Sequence, residues 1–285
     1  MQLRKTIFSF LLALYCSALP TAALAATAQK LCISDDAEYR QFCYSAATDD
    51  KVFSTFKRNP IYCKFVEHVT YDEGKAYLEY VQAKYPSLLD AWEAFSRNDQ
   101  VGSPITYTYP KLGSASPNTL RYIKISAEVG ELFGDLTDKK ILEIGVGYGG
   151  QCKTISDSYA FAEYVLLDMP EPLALTARYL ATQNVSNLRF IASEDAVAEE
   201  FDIVISNFAF SECNRDVQDA YLEKYILKSK AGYMLLNNMS KLLFPAPYFV
   251  LELRNVLTKN GYRVKILPEI PSTGPQNILI IWYTP

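Results

Sequence analysis

The stretch that decides the fold is Ile141–Gly150, which reads ILEIGVGYGG. A short apolar run precedes the glycines, and a single acid, Glu143, interrupts it. Glycine-rich turns that follow strands are typical of cofactor sites. The spacing of Gly145, Gly147 and Gly150 fits a GxGxxG dinucleotide turn, whereas Glu143 favours a different cofactor. The flanking sequence has to distinguish the two.

Length and composition indicate an ordinary folded protein. The chain has 285 residues, of which 49% are hydrophobic and 21% are charged. A chain of this size can bury a large core, and it is not biased toward disorder. The net charge is -4 and there is no long basic run, so nothing favours nucleic acid or an anionic membrane surface as a partner.

The N-terminus has the pattern of a secretory signal peptide. Two basic residues in Met1–Lys5 precede the apolar TIFSFLLALYCSALPTAALA, which closes on the small-residue site Ala23-Leu24-Ala25. Residues 1–25 are therefore predicted to be removed on export, leaving a secreted or periplasmic chain without stable membrane insertion. The alternative is an uncleaved N-terminal membrane anchor, because the apolar stretch is near the ~20 residues that a span needs.

The cysteines fit an exported protein. Cys16 lies in the signal peptide, and Cys32, Cys43 and Cys63 cluster before the glycine-rich turn. A disulfide among these three is expected in an oxidising compartment, with Cys32–Cys43 the simplest pair. No CxxC spacing occurs and His68 is the only histidine, so no metal site is expected.

The chain divides into a helical N-terminal region, residues 26–135, and a second domain, residues 136–285. Apolar residues three and four apart predict helices in EGKAYLEYVQAKY and SLLDAWEAF. Residues 99–118, rich in Gly, Pro, Ser and Tyr, are interpreted as a long loop that covers the site. Ser116-Pro117 predicts the start of the next helix.

From Lys139 onward, strands and helices alternate. Seven segments have strand character: KILEIGV, EYVLLDM, LRFIAS, FDIVISNF, GYMLLNN, YRVKIL and NILIIWY. Alternation of this kind predicts a doubly wound, mostly parallel sheet covered on both faces. The last two strands are joined only by PEIPSTGPQ, which cannot form a crossover helix, so the C-terminal strand should be antiparallel. This is the plan of class I methyltransferases rather than of dehydrogenases.

Specific segments carry a closer resemblance. LEIGVGYGG resembles the first motif of S-adenosylmethionine-dependent methyltransferases, and LLDMPE has an acid where that family binds the ribose. The chain also resembles the sugar O-methyltransferase family over Phe56 to Pro285. The segments that carry this resemblance are, in order, FKRNPIYCKFVEHVTYDEGKAYLEY, SPNTLRYIK, EIGVGYGGQCK, LLDMPEPLAL and SNFAFSE. The resemblance implies S-adenosyl-L-methionine as cofactor and a hydroxyl of a sugar or glycan as methyl acceptor.

Each cofactor-site residue has a physical role to test. Glu143 is expected near the cofactor ammonium, and Asp168 can accept hydrogen bonds from ribose hydroxyls. Glycine at 145 and 147 would allow close backbone approach, and amides at the next helix start would receive a carboxylate. The full set of predicted cofactor residues is Glu143, Gly145, Gly147, Tyr148, Gly149, Asp168 and Asn207. The alternatives are a plain tight turn for the glycines and a helix N-cap for Asp168.

The acceptor side has fewer signals. Removing the proton of a sugar hydroxyl calls for a base, and Glu212, in SNFAFSE after the fourth strand, is the first candidate. His68 is the second, because it falls in the helical region expected to cover the cleft. The predicted substrate-binding residues are Tyr109, Arg121, Tyr122 and Ser211.

Two other functions remain open at this stage. An exported, catalytically silent carbohydrate-binding protein could use the same fold, since S-adenosylmethionine is made in the cytosol. A nicotinamide oxidoreductase is disfavoured by the terminal strand pair. The sequence does not indicate an oligomeric state.

Overall fold

The computed structural model describes residues 30–237 and 244–285. The predicted signal peptide, residues 1–25, lies outside the described residues. Within them, the α-helices are α1 Ala37–Thr48, α2 Asp50–Phe53, α3 Pro60–Cys63, α4 Tyr71–Lys84, α5 Trp92–Ser96, α6 Pro117–Phe133, α7 Gly150–Ser158, α8 Pro170–Thr182, α9 Arg215–Lys224 and α10 Val250–Lys259. Short 3₁₀ turns occupy Phe56–Arg58, Pro86–Ala91, Arg97–Gln100, Ser193–Asp195, Ala209–Glu212 and Ile226–Lys228.

The strands form a small hairpin and one large sheet. They are β1 Tyr107–Tyr109, β2 Gly113–Ala115, β3 Lys140–Ile144, β4 Glu163–Asp168, β5 Leu188–Ala192, β6 Phe201–Asn207, β7 Ser229–Leu236, β8 Arg263–Pro268 and β9 Ile278–Tyr283. The large sheet has seven strands in the order β5-β4-β3-β6-β7-β9-β8. Strand β9 inserts between β7 and β8 and is antiparallel to both, whereas β3 to β7 pair in parallel. The predicted sheet, with its antiparallel C-terminal strand, is confirmed.

Both faces of this sheet are covered, which is why its central strands are apolar throughout. In β3, Ile141 packs in a core shared with α6, α7 and α8, whereas Leu142 packs in the core on the opposite face, shared with α9 and α10. Residues that alternate along a strand point to opposite faces. Glu143 therefore lies on the same face as Ile141, in an otherwise apolar layer.

The N-terminal region packs directly on this sheet's helical layer. Helix α1 lies against α8, and Arg40 of α1 forms a two-pronged ion pair with Glu171 of α8, at 3.0 and 2.9 Å. Helix α4 lies against α6 and begins with a capping box made by Thr70 and Glu73. Helix α6 begins at Pro117, with Ser116 as its N-cap residue, as the sequence predicts.

The disulfide joins different cysteines from those predicted. Cys32 bonds to Cys213, which lies just after β6, rather than to Cys43. Cys43 is fully buried in α1 within the core shared with α8, so it is not available to the extended segment that carries Cys32. That segment instead runs antiparallel to the loop after β6, where the Ile33 amide donates to the Glu212 carbonyl at 2.9 Å. Cys63, like Cys43, is a free thiol.

None of the described helices is both long enough and apolar enough to span a membrane.

Candidate functional site

A cavity of about 980 Å³ lies at the carboxyl edge of the sheet. Its floor is formed by the ends of β3, β4 and β6 and the loops that follow them. Chain connections leave β3 toward one edge of the sheet and β6 toward the other, so the cavity lies at the point where the strand order reverses. Ligands in open α/β sheets bind at such a point.

The glycine turn after β3 forms one wall of this cavity. Gly145 and Gly147 have φ values of 76° and 58°, in the left-handed region that favours glycine. The Gly145 amide donates to the Leu167 carbonyl at 2.9 Å, which ties the turn to β4. A side chain at Gly147 would lie 3.2 Å from Cγ1 of Val66, so the turn also passes close to the N-terminal region.

Glu143 is a buried carboxyl at the cavity. It is 2% exposed, lines the cavity, and accepts a hydrogen bond from the Tyr164 hydroxyl at 2.7 Å. Burial raises the pKa of this carboxyl to about 8, against the opposing effect of the Tyr164 hydrogen bond. A cationic group in the cavity would favour the ionised form of Glu143.

Asp168 connects the end of β4 to the glycine turn. Its Oδ2 accepts from the Val146 amide and its Oδ1 from the Met169 amide, both at 2.8 Å. Burial raises the pKa of Asp168 to about 6, although the backbone donors oppose this shift. The side chain lines the cavity, so Asp168 both shapes the turn and faces a ligand.

Asn207, at the end of β6, has unmet hydrogen-bonding capacity. Both its Nδ2 and its Oδ1 are buried without a partner among the described residues, and the residue lines the cavity. A buried amide without partners costs free energy that a ligand can offset. This donor and acceptor, beside Glu143 and Asp168, fit a polar, cationic cofactor.

The loop after β6 carries the candidate base. Oε1 of Glu212 accepts from Nδ2 of Asn237 at 2.7 Å, and both residues line the cavity. Burial raises the pKa of Glu212, while Asn237 and Arg121 oppose the shift. Ser211 does not line this cavity; its hydroxyl donates to the Phe208 carbonyl at 2.7 Å and accepts from the Asn237 amide at 3.0 Å. Ser211 thus holds the partner of Glu212.

His68, Arg121 and Tyr122 also line the cavity, and the charge of Arg121 acts on both His68 and Glu212. His68 is exposed to the cavity, and enclosure by the surrounding protein lowers the pKa of its imidazole to about 4, with a further contribution from Arg121. The imidazole is therefore neutral near pH 7, but a pKa this low makes it a weaker base than an ordinary histidine. The structure therefore brings both candidate bases into one space.

Three further predicted site residues lie outside this cavity. Tyr148 is fully buried behind the glycine turn, where its hydroxyl donates to Oδ1 of Asn98 at 3.3 Å. Gly149 has a φ of 90° and caps α7; a side chain there would lie 2.9 Å from Thr176 of α8. Both residues serve internal packing.

Tyr109 also serves packing, in the segment 99–118 that was expected to cover the site. Its ring stacks on Tyr71 with centroids 5.2 Å apart, and its hydroxyl donates to the Tyr71 carbonyl at 3.4 Å. No residue of 99–118 lines the cavity; the segment folds into the β1–β2 hairpin instead. Aromatic composition suggested a cover, but the rings are used against α4.

The cavity is enclosed in part by the helical N-terminal region, which was expected to cover the cleft, and in part by the β8–β9 loop, which was not. Tyr39 of α1 and Phe65 and Val66 after α3 line one side, and Thr273 and Asn277 of the β8–β9 loop line another. Cys32 and Cys213 also contribute to the lining. These residues are far apart in the chain, so no local sequence pattern predicts that they line one cavity. Among the described residues, no group of three or more His, Cys, Asp or Glu side chains is arranged to hold a metal ion.

Comparison with known proteins gives a likeness of fold. No family model matches this chain, and no curated protein matches it either. Solved structures do match, among them an rRNA methylase from Streptococcus thermophilus, 15% identical, covering 56% of this chain and 93% of its own, with a TM-score of 0.42. An S-adenosylmethionine-dependent methyltransferase from Mesorhizobium loti is 13% identical, covering 55% of this chain and 95% of its own, with a TM-score of 0.43.

Proposed function

We propose that this protein is an S-adenosylmethionine-dependent O-methyltransferase that acts on a hydroxyl of a sugar or glycan. The observation that carries the proposal is a single cavity that joins Glu143, Asp168 and Asn207, on neighbouring strand ends, to Glu212 on the loop after β6. A cofactor with an ammonium and a ribose suits the first three residues. An acceptor hydroxyl suits the fourth.

The residues have distinct tasks in this proposal. When bound, S-adenosylmethionine supplies an electrophilic methyl group. Glu143 would bind the cofactor ammonium, Asp168 the ribose hydroxyls, and Asn207 polar atoms of the cofactor through its unpaired amide. Glu212 accepts the proton of the acceptor hydroxyl, and Asn237 holds its carboxylate in place through the 2.7 Å hydrogen bond. Holding both reactants in one enclosed space supplies much of the remaining rate.

A sugar acceptor is supported by the chemistry of the cavity end near Glu212. His68, Arg121 and Asn237 offer hydrogen-bonding groups there, and Tyr77 and Tyr122 add polar-tipped rings. A polyhydroxylated ligand needs several donors and acceptors in a small space. These groups can bind several hydroxyls of a sugar acceptor.

We also propose that the protein acts after export. The Cys32–Cys213 disulfide supports an oxidising compartment, in agreement with the N-terminal pattern. This location requires a supply of cofactor outside the cytosol.

Binding of S-adenosylhomocysteine to the oxidised protein, by isothermal titration, tests the cofactor half of the proposal. The acceptor half is tested by transfer of labelled methyl from S-adenosylmethionine to a panel of sugars and glycans. Absence of S-adenosylhomocysteine binding would refute the methyltransferase assignment. Methylation of RNA but of no sugar in the panel would refute the acceptor class alone.

The Glu212→Gln variant tests the base. We expect unchanged affinity for S-adenosylhomocysteine and a methyl-transfer rate lower by about 10²–10⁴-fold, the usual contribution of general acid–base catalysis. Glu223→Gln, on the exposed face of α9, is the matched control and should retain full activity. If His68→Ala stops turnover while Glu212→Gln does not, the base is His68.

A further inference from the structure

Arg121 is a buried cation in the wall of the cavity. It lies in the first turns of α6, is 9% exposed, and lines the cavity beside Tyr122. The guanidinium carbon lies 5.5 Å from the centroid of the Tyr122 ring. Arginine remains charged under all ordinary conditions, so a full positive charge is held in this enclosed space.

This charge has no carboxylate of the described residues within ion-pair distance, although the buried Glu67 carboxyl acts on it from farther away. Nε of Arg121 is buried without a hydrogen-bond partner, and no carboxylate oxygen of the described residues lies within 4.0 Å of its guanidinium. Two of the three buried lysines among the described residues have a carboxylate partner, and the third donates to a backbone carbonyl. Lys57 donates to the Asn98 carbonyl at 2.6 Å, Lys124 pairs with Glu128 at 2.8 Å, and Lys153 pairs with Asp157.

A buried guanidinium loses its hydration, and the Tyr122 side chain and the charge of the buried Glu67 carboxyl, rather than a carboxylate in direct contact, favour its charged form. Its donors form a planar fork that matches a carboxylate or phosphate with two parallel hydrogen bonds. A ligand with an anionic group would stabilise this cation in the cavity wall, which explains why an arginine is placed there. The buried Nε of Arg121, which has no hydrogen-bond partner among the described residues, could donate one of the two hydrogen bonds to a carboxylate or phosphate.

The position of Arg121 associates it with the acceptor rather than with the cofactor. Its positive charge opposes the rise in the pKa of Glu212 and lowers the pKa of His68. Arg121 is not among the main causes of the raised pKa of Glu143 or of Asp168. The guanidinium therefore acts on the end of the cavity where the acceptor hydroxyl would meet its base.

We propose, on the basis of the methyltransferase function above, that the acceptor carries a carboxylate or phosphate group and that Arg121 binds this group in a two-pronged ion pair. The acceptor would then be an acidic sugar, such as a hexuronate or a sugar phosphate. Binding of the anion also neutralises the charge that stabilises the ionised form of Glu212, so Glu212 becomes a stronger base when its substrate is present.

The test compares charged and neutral sugars on the intact, oxidised protein. Glucuronate and glucose 6-phosphate are titrated against glucose in the presence of S-adenosylhomocysteine. We expect at least one acidic sugar to bind about tenfold or more tightly than glucose, a preference that Arg121→Gln abolishes. Arg121→Lys should keep part of it, since the charge remains but the fork is lost. Arg254→Gln, exposed on α10, is the control and should keep the full preference.

Two outcomes would overturn the inference while leaving the methyltransferase proposal intact. Equal binding of acidic and neutral sugars by the unmodified protein would show that no anion is recognised. Weaker binding of S-adenosylhomocysteine by Arg121→Gln would show that Arg121 binds the cofactor carboxylate instead. Failure of the unmodified protein to bind S-adenosylhomocysteine would remove the function on which the inference rests.

The melting temperature of Arg121→Gln shows whether the substitution disturbs the fold. Because Arg121 makes no ion pair, Arg121→Gln should melt at the same or a higher temperature than the unmodified protein without ligand. Added glucuronate or glucose 6-phosphate should raise the melting temperature of the unmodified protein but not of the variant. A large fall in the melting temperature of the ligand-free variant would mean that the guanidinium serves the fold, and the proposal would be wrong.

Discussion

Glu143 shows how one buried carboxyl can couple cofactor binding to pH. Its pKa is raised by burial from its ordinary value of 4.5 to about 8, so the side chain is largely protonated at neutral pH in the ligand-free protein. The Tyr164 hydroxyl and a bound ammonium would both favour the ionised form. A cofactor that requires the carboxylate must therefore displace a proton when it binds below about pH 8.

We expect the affinity for S-adenosylhomocysteine to rise by about tenfold per pH unit between about pH 6 and 8. Glu143→Gln should weaken binding and remove this dependence, as measured by isothermal titration across the range. Tyr164→Phe, which loses the hydrogen bond that lowers the pKa of Glu143, should move the rise to higher pH. An unchanged pH profile in Glu143→Gln would exclude Glu143 from the cofactor site.

The same carboxyl affects stability with the opposite sign. The unfolded chain releases its proton near pH 4.5, whereas the folded protein holds it to about pH 8. The folded state therefore binds more protons in this window, so the contribution of Glu143 to stability is present below about pH 4.5 and is lost as the pH rises toward 8. Glu143→Gln should show a smaller loss of unfolding free energy across that interval.

At the residue level, the sequence predicts a position in the cavity best where a polar residue stands near the end of a strand. Glu143, Asp168 and Glu212 stand at strand ends or directly after them, and parallel strand ends converge on one edge, so all three line the cavity. Tyr148 and Gly149 belong to the same glycine-rich stretch but face the interior. A one-residue step along a tight turn reverses the direction of a side chain, which composition alone does not reveal.

At the level of elements, the C-terminal strand pair could be predicted because prolines exclude a crossover helix between β8 and β9. The role of the loop between these two strands could not be predicted from the sequence. Three donors, the Thr273 amide, the Thr273 hydroxyl and Nδ2 of Asn277, converge on Oε2 of Glu269 at 3.1, 2.8 and 2.9 Å. Thr273 also accepts from the Tyr77 hydroxyl at 3.3 Å, which holds the loop over the acceptor end.

Removal of Glu269 should loosen this loop. Glu269 is 2% exposed, so Glu269→Ala leaves buried donors unpaired and should lower the unfolding free energy by about 1–3 kcal/mol. We expect a higher KM for the acceptor with unchanged affinity for S-adenosylhomocysteine, measured by steady-state kinetics and titration. Glu269→Gln keeps one acceptor oxygen and should show a smaller change. Equal loss of cofactor affinity would mean that the loop supports the whole cavity.

At the scale of the whole molecule, the N-terminal region is part of the site. Tyr39 and Val66 line the cavity, α1 packs along α8, and Arg40 pairs with Glu171. Residues of both predicted parts, 26–135 and 136–285, therefore line the same cavity. That the N-terminal region covers the cleft was expected, but its individual contacts could not be predicted, because they involve ordinary apolar and aromatic side chains without a distinctive spacing.

The Cys32–Cys213 disulfide fixes the most distant of these contacts. It joins positions 181 residues apart and anchors the segment whose Ile33 amide donates to the Glu212 carbonyl at 2.9 Å. Closing so long a loop restricts the unfolded chain, by about 5 kcal/mol in the chain-entropy account. The bond also holds the backbone that carries the candidate base, so its loss should affect both stability and methyl transfer.

The double variant Cys32→Ser/Cys213→Ser tests this role. We expect the unfolding free energy to fall by about 2–5 kcal/mol, the usual range for a native disulfide. We also expect slower methyl transfer with smaller changes in S-adenosylhomocysteine affinity, because the bond lies beside Glu212 rather than beside Glu143. Cys63→Ser, which alters a free thiol, is the matched control and should behave as the unmodified protein. Dithiothreitol should reproduce the loss in the unmodified protein and leave the double variant unaffected; equal sensitivity of the two proteins would contradict a structural role for this disulfide.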